Sequence, residues 1–169
     1  MEQKINHKID LKDKLVNFYN NNKLKIYSIA TILVIILISL TFLQINKEKK
    51  NKLISDKYIK AGLYLTSEDK NKSKNLYQEI IFSNNKFYSV LALNTILENN
   101  LESDNNKILK YFEEVEKINV SKEQKDLIIF KKALFLIKTS NLEPGKVLLK
   151  SLIKNNSKLK LLAKEVLAK

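Results

Sequence analysis

Cysteine, arginine and tryptophan are absent from this 169-residue chain, proline and histidine occur once each, and glycine twice. Without cysteine there is no disulfide framework, no thiolate zinc site, no thiol nucleophile and no lipid-attachment cysteine. One proline (Pro144) and two glycines (Gly62, Gly145) are too few turn-formers for a sandwich or barrel of many short strands. They favour helices joined by polar loops. Two glycines 83 positions apart also exclude a glycine-rich phosphate loop. His7 has no second ligand or Ser/Asp partner nearby, which leaves neither a metal site nor a Ser-His-Asp set, and no cofactor is expected. The absence of arginine argues against sequence-specific nucleic-acid reading, which leans on bidentate guanidinium contacts. The chain therefore reads as a non-enzyme.

What is abundant is lysine. All 31 basic residues are lysine, against 18 acids, for a net charge of +13. Asparagine and isoleucine contribute 20 residues each, a skew typical of AT-rich coding sequence. The lysine surplus is thus better explained as a solubilising coat near an anionic membrane than as a nucleic-acid footprint.

From Ile26 to Ile45 run 20 uncharged residues, 13 of them Ile, Leu, Val or Phe. At ~1.5 Å per residue a helix of this length covers ~30 Å, the thickness of a bilayer's hydrocarbon core. Thirteen such residues favour insertion by roughly 5 kcal/mol. Ser28, Thr31, Ser39 and Thr41 offset part of this, but their hydroxyls can bond carbonyls one turn back. Lys23 and Lys25 mark one edge, and Lys47, Lys49 and Lys50 the other. A cleavable signal peptide has an apolar region of about 7–15 residues closed by small residues. This run is longer and leaves through Phe42-Leu43-Gln44-Ile45, so it reads as an uncleaved single-span anchor. The organisation is then an arm (1–23), a transmembrane helix (24–46) and a C-terminal domain (47–169). Residues 11–25 hold four lysines and residues 46–60 six, a slight bias toward a cytoplasmic C-terminal domain.

In the arm, Ile5, Ile9, Val16 and Tyr19 recur near helical spacing, as do Leu11, Leu15 and Phe18. A short interfacial amphipathic helix and a partly disordered juxtamembrane tail both fit. Asn20-Asn21-Asn22 reads as a turn before the span.

The C-terminal domain repeats. Three segments pair two helices each: Leu53–Thr66 with Ser73–Ser83, Phe87–Glu98 with Asn106–Lys117, and Ser121–Thr139 with Glu143–Lys154. A last helix follows, Ser157–Ala168. The second helices align as Ser73/Tyr77/Ile80, Ile108/Phe112/Val115 and Gly145/Leu149/Leu152. Each set has spacing 0, 4, 7, one helix face, and the sets begin 35 and 37 residues apart. That resembles the tetratricopeptide repeat, whose period is about 34 residues. Ala61-Gly62, preceded by Tyr58, stands where that family places Leu-Gly. Ala92 and Ala133 are expected small contacts, and Asn84-Asn85, Asn119 and Asn155-Asn156 are expected helix stops. In the third segment, Leu127, Phe130, Leu134 and Ile137 form one face and Ile129, Ala133 and Leu136 another, predicting a helix sandwiched between neighbours. Leu159, Leu162 and Val166 form the inner stripe of the last helix. The fold class is therefore all-α: one transmembrane helix, then a tetratricopeptide-like α-solenoid of about three hairpins, since one hairpin cannot bury its stripe alone.

Two acidic groups, Glu113/Glu114/Glu116 and Glu102/Asp104, read as solvated faces. Lys146, Lys150 and Lys154 form an i, i+4 stripe on the wet side of a helix, with lipid headgroups as the ligand it could contact.

The order of parts resembles the YfgM-like family, ancillary subunits of the bacterial Sec translocon. The resemblance is carried by Ile9-Asp10, Leu15-Val16-Asn17-Phe18-Tyr19, Lys23-Leu24, Tyr58–Leu65 and Ser73–Ile81. It implies a single-pass inner-membrane protein with a cytoplasmic arm and periplasmic repeats, opposite to the slight lysine bias. Family members continue with further repeat beyond the point matching Lys169. It also implies protein partners: translocon subunits, periplasmic chaperones or emerging secretory chains. First helices usually line the concave face of such stacks, which makes Tyr58, Leu65, Tyr88, Leu91 and Thr95 the expected contact residues. Two other readings stand beside it: an envelope assembly protein that self-associates, and a cytoplasm-facing docking receptor.

Overall fold

The computed structural model describes residues 11–168. Ile5, His7, Ile9 and Asp10 of the arm lie outside them. The described residues form seven α-helices and no strand: α1 (Leu11–Thr66), α2 (Lys70–Phe82), α3 (Tyr88–Glu98), α4 (Asn105–Glu116), α5 (Lys122–Lys138), α6 (Leu142–Lys154) and α7 (Lys160–Leu167). The chain divides into two units, one ending at Lys49 and one beginning at Lys50.

In the first unit the helix runs through Asn20-Asn21-Asn22, which corrects the expected turn. Asn22 Nδ2 donates to the Phe18 carbonyl at 3.0 Å, so its polar group is satisfied without leaving the helix. Extending a helix already nucleated in an apolar run costs little per residue. One helix here is long and apolar enough to cross a membrane, and none of its apolar window is buried among the described residues. Thr31 donates to Tyr27 O at 2.9 Å, Ser39 to Ile35 O at 2.8 Å and Thr41 to Ile38 O at 2.8 Å, as expected of hydroxyls in a span.

In the second unit, short polar side chains define the helix ends. The Asp69 carboxylate caps α2, accepting from Lys72 N at 3.1 Å. Asp104 caps α4, accepting from Asn106 N at 2.9 Å, and Ser121 with Gln124 forms a capping box on α5. The left-handed residues are Glu68, Asn84, Asn100, Ser140 and Asn156, with no glycine among them. Four of these sit in Schellman-type closures, in which the next residue's N–H reaches back five positions (Asp69 to Tyr64, Leu101 to Ile96, Asn141 to Leu136, Ser157 to Leu152). Asn84 and Asn156 act as the expected stops. Asn119 does not, and Asn100, Glu68 and Ser140 take that role at other ends.

All nine second-helix positions at spacing 0, 4, 7 are buried: Ser73/Tyr77/Ile80, Ile108/Phe112/Val115 and Gly145/Leu149/Leu152. Ala61, Ala92 and Ala133 are fully buried too. Packing joins α2 to α3, α4 to α5, α5 to α6 and α6 to α7, with α2 also meeting α4. The α5–α6 approach depends on Gly145. A Cβ there would fall 2.7 Å from Ile137 Cγ1 and 2.9 Å from the Ala133 carbonyl oxygen.

Two packing expectations need correction. On α5, Leu127 and Leu134 are 39% and 38% exposed, and the buried residues are Ile128, Ala133 and Leu136. The helix is sandwiched as expected, with Ile128 and Phe135 on one core and Ile129, Phe130, Ala133 and Ile137 on a second, but Leu134 faces a groove beside α3. On α7, Leu162 is 48% exposed. Ala163, with Val166 and Leu167, makes the inner contact. This helix begins at Lys160, three residues later than expected, because Ser157 bonds Leu159 N first at 3.2 Å.

Candidate functional site

The five expected contact residues lie on α1 and α3. Tyr58 and Thr95 share a hydroxyl–hydroxyl bond of 3.1 Å, and Tyr88 donates to Ser55 Oγ at 2.8 Å. The Tyr58 ring lies 5.3 Å from that of Tyr77 and 5.6 Å from that of Tyr88. Thr95 also donates to the Leu91 carbonyl at 3.0 Å. Three of the five, Tyr58, Tyr88 and Thr95, are thus brought together, with their hydroxyls engaged in fastening α1 to α3, while Leu91 enters only through its carbonyl within α3. Leu65 stands apart, half-buried against the main core. Asn51 and Asn85 add a further α1-side bond at 2.8 Å.

The α3–α5 pair is fastened differently. Lys131 donates to Asn94 Oδ1 at 2.7 Å and lies 3.8 Å from Glu98. The bonded pairs Tyr58–Thr95 and Asn94–Lys131 are each separated by 37 residues. Adding 37 to 57 and 58 gives 94 and 95, and adding it again gives 131 and 132. Two adjacent helical positions thus supply the cross-links, the second of them between α1 and α3 and the first between α3 and α5.

Between α3 and α5 opens a groove of about 560 Å³. Its apolar wall is Leu97, Leu134 and Phe135, its cationic rim Lys131 and Lys138, and Glu102 lies on its loop side. The Glu102 side chain is 4% exposed, which corrects its reading as part of a solvated face. Its Oε1 accepts from the N–H groups of Ser103 (3.0 Å) and Asp104 (3.1 Å). Its Oε2 lies 3.6 Å from Lys74 and 3.9 Å from Lys107. Burial by itself raises the carboxyl's pKa. The Asp104 N–H, Lys74, Lys107 and the Ser103 N–H together outweigh it and hold Glu102 below the ordinary glutamate value. Beside it, Tyr111 is pushed up to about 12 by burial and then by the Glu102 charge, and its hydroxyl makes no hydrogen bond of ordinary geometry. Of the other acids, Glu114 pairs with Lys117 at 2.6 Å at the surface, and Glu116 makes a part-buried pair with Lys132 of α5 at 2.8 Å.

Sequence reasoning missed this groove. Lys131, Leu134 and Lys138 follow a 0, 3, 7 spacing that sets a leucine between two lysines on one helix face, which was its available signal. Chemically, the groove can hold an extended or helical segment by apolar contact, with lysines at the edge for its acidic side chains. No protein-family model, curated protein or solved structure matches this chain.

Proposed function

We propose that this protein is a non-enzymatic, membrane-anchored scaffold whose helical hairpins stack in tetratricopeptide fashion to hold a protein partner. The observation that carries the reading is that both cross-links between successive first helices, Tyr58–Thr95 and Asn94–Lys131, join residues 37 positions apart. A solenoid requires such translational equivalence, and a bundle does not. The nine buried second-helix positions support the same stacking. The groove between α3 and α5 is the partner surface, with Leu134, Lys131 and Lys138 in contact and Tyr58, Tyr88 and Thr95 bracing its neighbouring wall. In this reading the chain belongs to the YfgM-like class. It sits once in the inner membrane with a cytoplasmic arm and periplasmic repeats, and serves translocon subunits, periplasmic chaperones or secretory chains.

The test is affinity capture of the full chain from solubilised membranes, with identified co-purifying proteins. Translocon subunits and periplasmic chaperones are expected with the natural protein, and are lost with Leu134→Glu plus Lys138→Glu while the helical content holds. Capture of the chain's own copies alone means an envelope assembly protein instead. The lysine excess after the span favours a second reading, a cytoplasm-facing receptor, in which the captured partners are cytoplasmic.

A further inference from the structure

The lysine charge is not evenly spread over the second unit. Residues 50–121 carry eleven lysines against ten acids, whereas residues 122–168 carry eleven against four. Nearly all the net charge therefore lies on α5, α6 and α7. The same end exposes large aliphatic side chains: Val147 is 60% and Leu161 70% exposed. On α6, Val147, Lys150 and Lys154 have spacing 0, 3, 7 and all are exposed, so they share one outward face. On α7, Leu161 is flanked three residues away on each side by the exposed Lys158 and Lys164. Lys146 and Lys158 are tied to Glu143 and Glu123 at 3.4 and 3.1 Å. Glu143 and Glu165 are the two acids set against six lysines on residues 142–168.

We infer that the outer face of α6–α7 docks on an anionic phospholipid bilayer, with Val147 and Leu161 entering the headgroup–acyl boundary and the lysines pairing with lipid phosphates. Exposed aliphatic residues interleaved with lysine are the composition of an interfacial membrane surface. A protein interface draws its energy from Trp, Tyr and Arg anchors. Residues 142–168, which supply this face, contain no aromatic side chain at all, whereas the α3–α5 groove has Phe135 in its wall. The proposal rests on the membrane-anchored reading, since a span converts weak headgroup binding into an intramolecular event at high effective concentration.

The absence of native cysteine allows the full chain to be labelled at one site at a time. Leu161→Cys, Asn71→Cys and Ile36→Cys, each carrying a fluorophore, are placed in nanodiscs of phosphatidylcholine with or without phosphatidylglycerol. Headgroup spin-labelled lipid is the quencher for positions 161 and 71, and acyl-chain spin-labelled lipid for position 36. The expected result is quenching at 161 well above that at 71 in anionic discs, lost in zwitterionic discs and in high salt. Replacing Lys150, Lys154 and Lys164 by Gln lowers the docked population by roughly five-fold per charge. Quenching at 36 with equal, low quenching at 161 and 71 overturns the docking and leaves the anchor standing. No quenching at 36 overturns the anchor, and the docking with it.

Discussion

Tyr58 and Thr95 lie 37 residues apart in sequence and meet hydroxyl to hydroxyl at 3.1 Å, joining α1 to α3. Removing the hydroxyl alone, Tyr58→Phe, is expected to cost about 1 kcal/mol of domain stability. Tyr58→Ala also loses the rings of Tyr77 and Tyr88 and is expected to cost about 3 kcal/mol. Thermal unfolding of the solubilised full chain by circular dichroism measures both. A double-mutant cycle with Thr95→Val should return a coupling of about 0.5–1 kcal/mol, and a coupling of zero removes the bond from the account.

The two glycines should respond to alanine with opposite signs. At Gly62 a new Cβ meets only the Tyr77 hydroxyl at 3.7 Å, an ordinary contact, and the helix interior gains about 1 kcal/mol from losing glycine. At Gly145 the Cβ has no room between Ile137 and Ala133, and Gly145→Ala is expected to cost about 1–3 kcal/mol through separation of α5 and α6. Melting temperatures moving in the same direction would contradict the packing.

Glu68 and Ser140 hold left-handed conformations at the ends of α1 and α5. Such a conformation costs an L-residue roughly 1–2 kcal/mol that glycine avoids. Glu68→Gly and Ser140→Gly are each expected to raise the melting temperature, less the entropy glycine restores to the unfolded chain. A lowered melting temperature for both would show that these ends are not left-handed.

The Glu102 carboxyl is held below the ordinary glutamate pKa, so the folded domain binds its proton more weakly than the unfolded chain does. Its contribution is therefore complete above the ordinary value of 4.5 and is lost as pH falls through the folded value. Glu102→Gln is expected to lower stability at pH 7 and to flatten the loss between about pH 5 and pH 3. Urea midpoints at both ends of that window measure it. Tyr111→Phe, which removes a buried hydroxyl without a hydrogen-bond partner, is expected to be neutral or stabilising by up to about 1 kcal/mol.

Much of this fold was legible because apolar side chains recur with helical period. The 0, 4, 7 sets found all nine buried second-helix positions, and the fully buried Ala92 and Ala133 were named as small contacts. Periodicity cannot say which members of an apolar stripe stay open, and on α5 Leu127 and Leu134 do. Nor does it see charge neutralisation across the chain. Glu102 looks like any loop acid until Lys74, 28 residues earlier, comes within 3.6 Å. The Asn20–Asn22 turn was misread because asparagine's preference for turns is weaker than the propagation of a helix that an apolar run has already formed. The groove was missed for a related reason: its walls come from helices more than 30 residues apart, and its polar ties are single lysine contacts.

The central claim, a single span with the repeats outside the cytoplasm, is tested most directly by single-cysteine labelling in spheroplasts of a Gram-negative cell. The full chain carries Lys12→Cys, Ile36→Cys or Asn71→Cys and is exposed to a membrane-impermeant maleimide before and after lysis. The account predicts labelling at position 71 in intact spheroplasts, at position 12 only after lysis, and at position 36 in neither. Labelling at 12 in intact spheroplasts, with 71 reacting only after lysis, would contradict it.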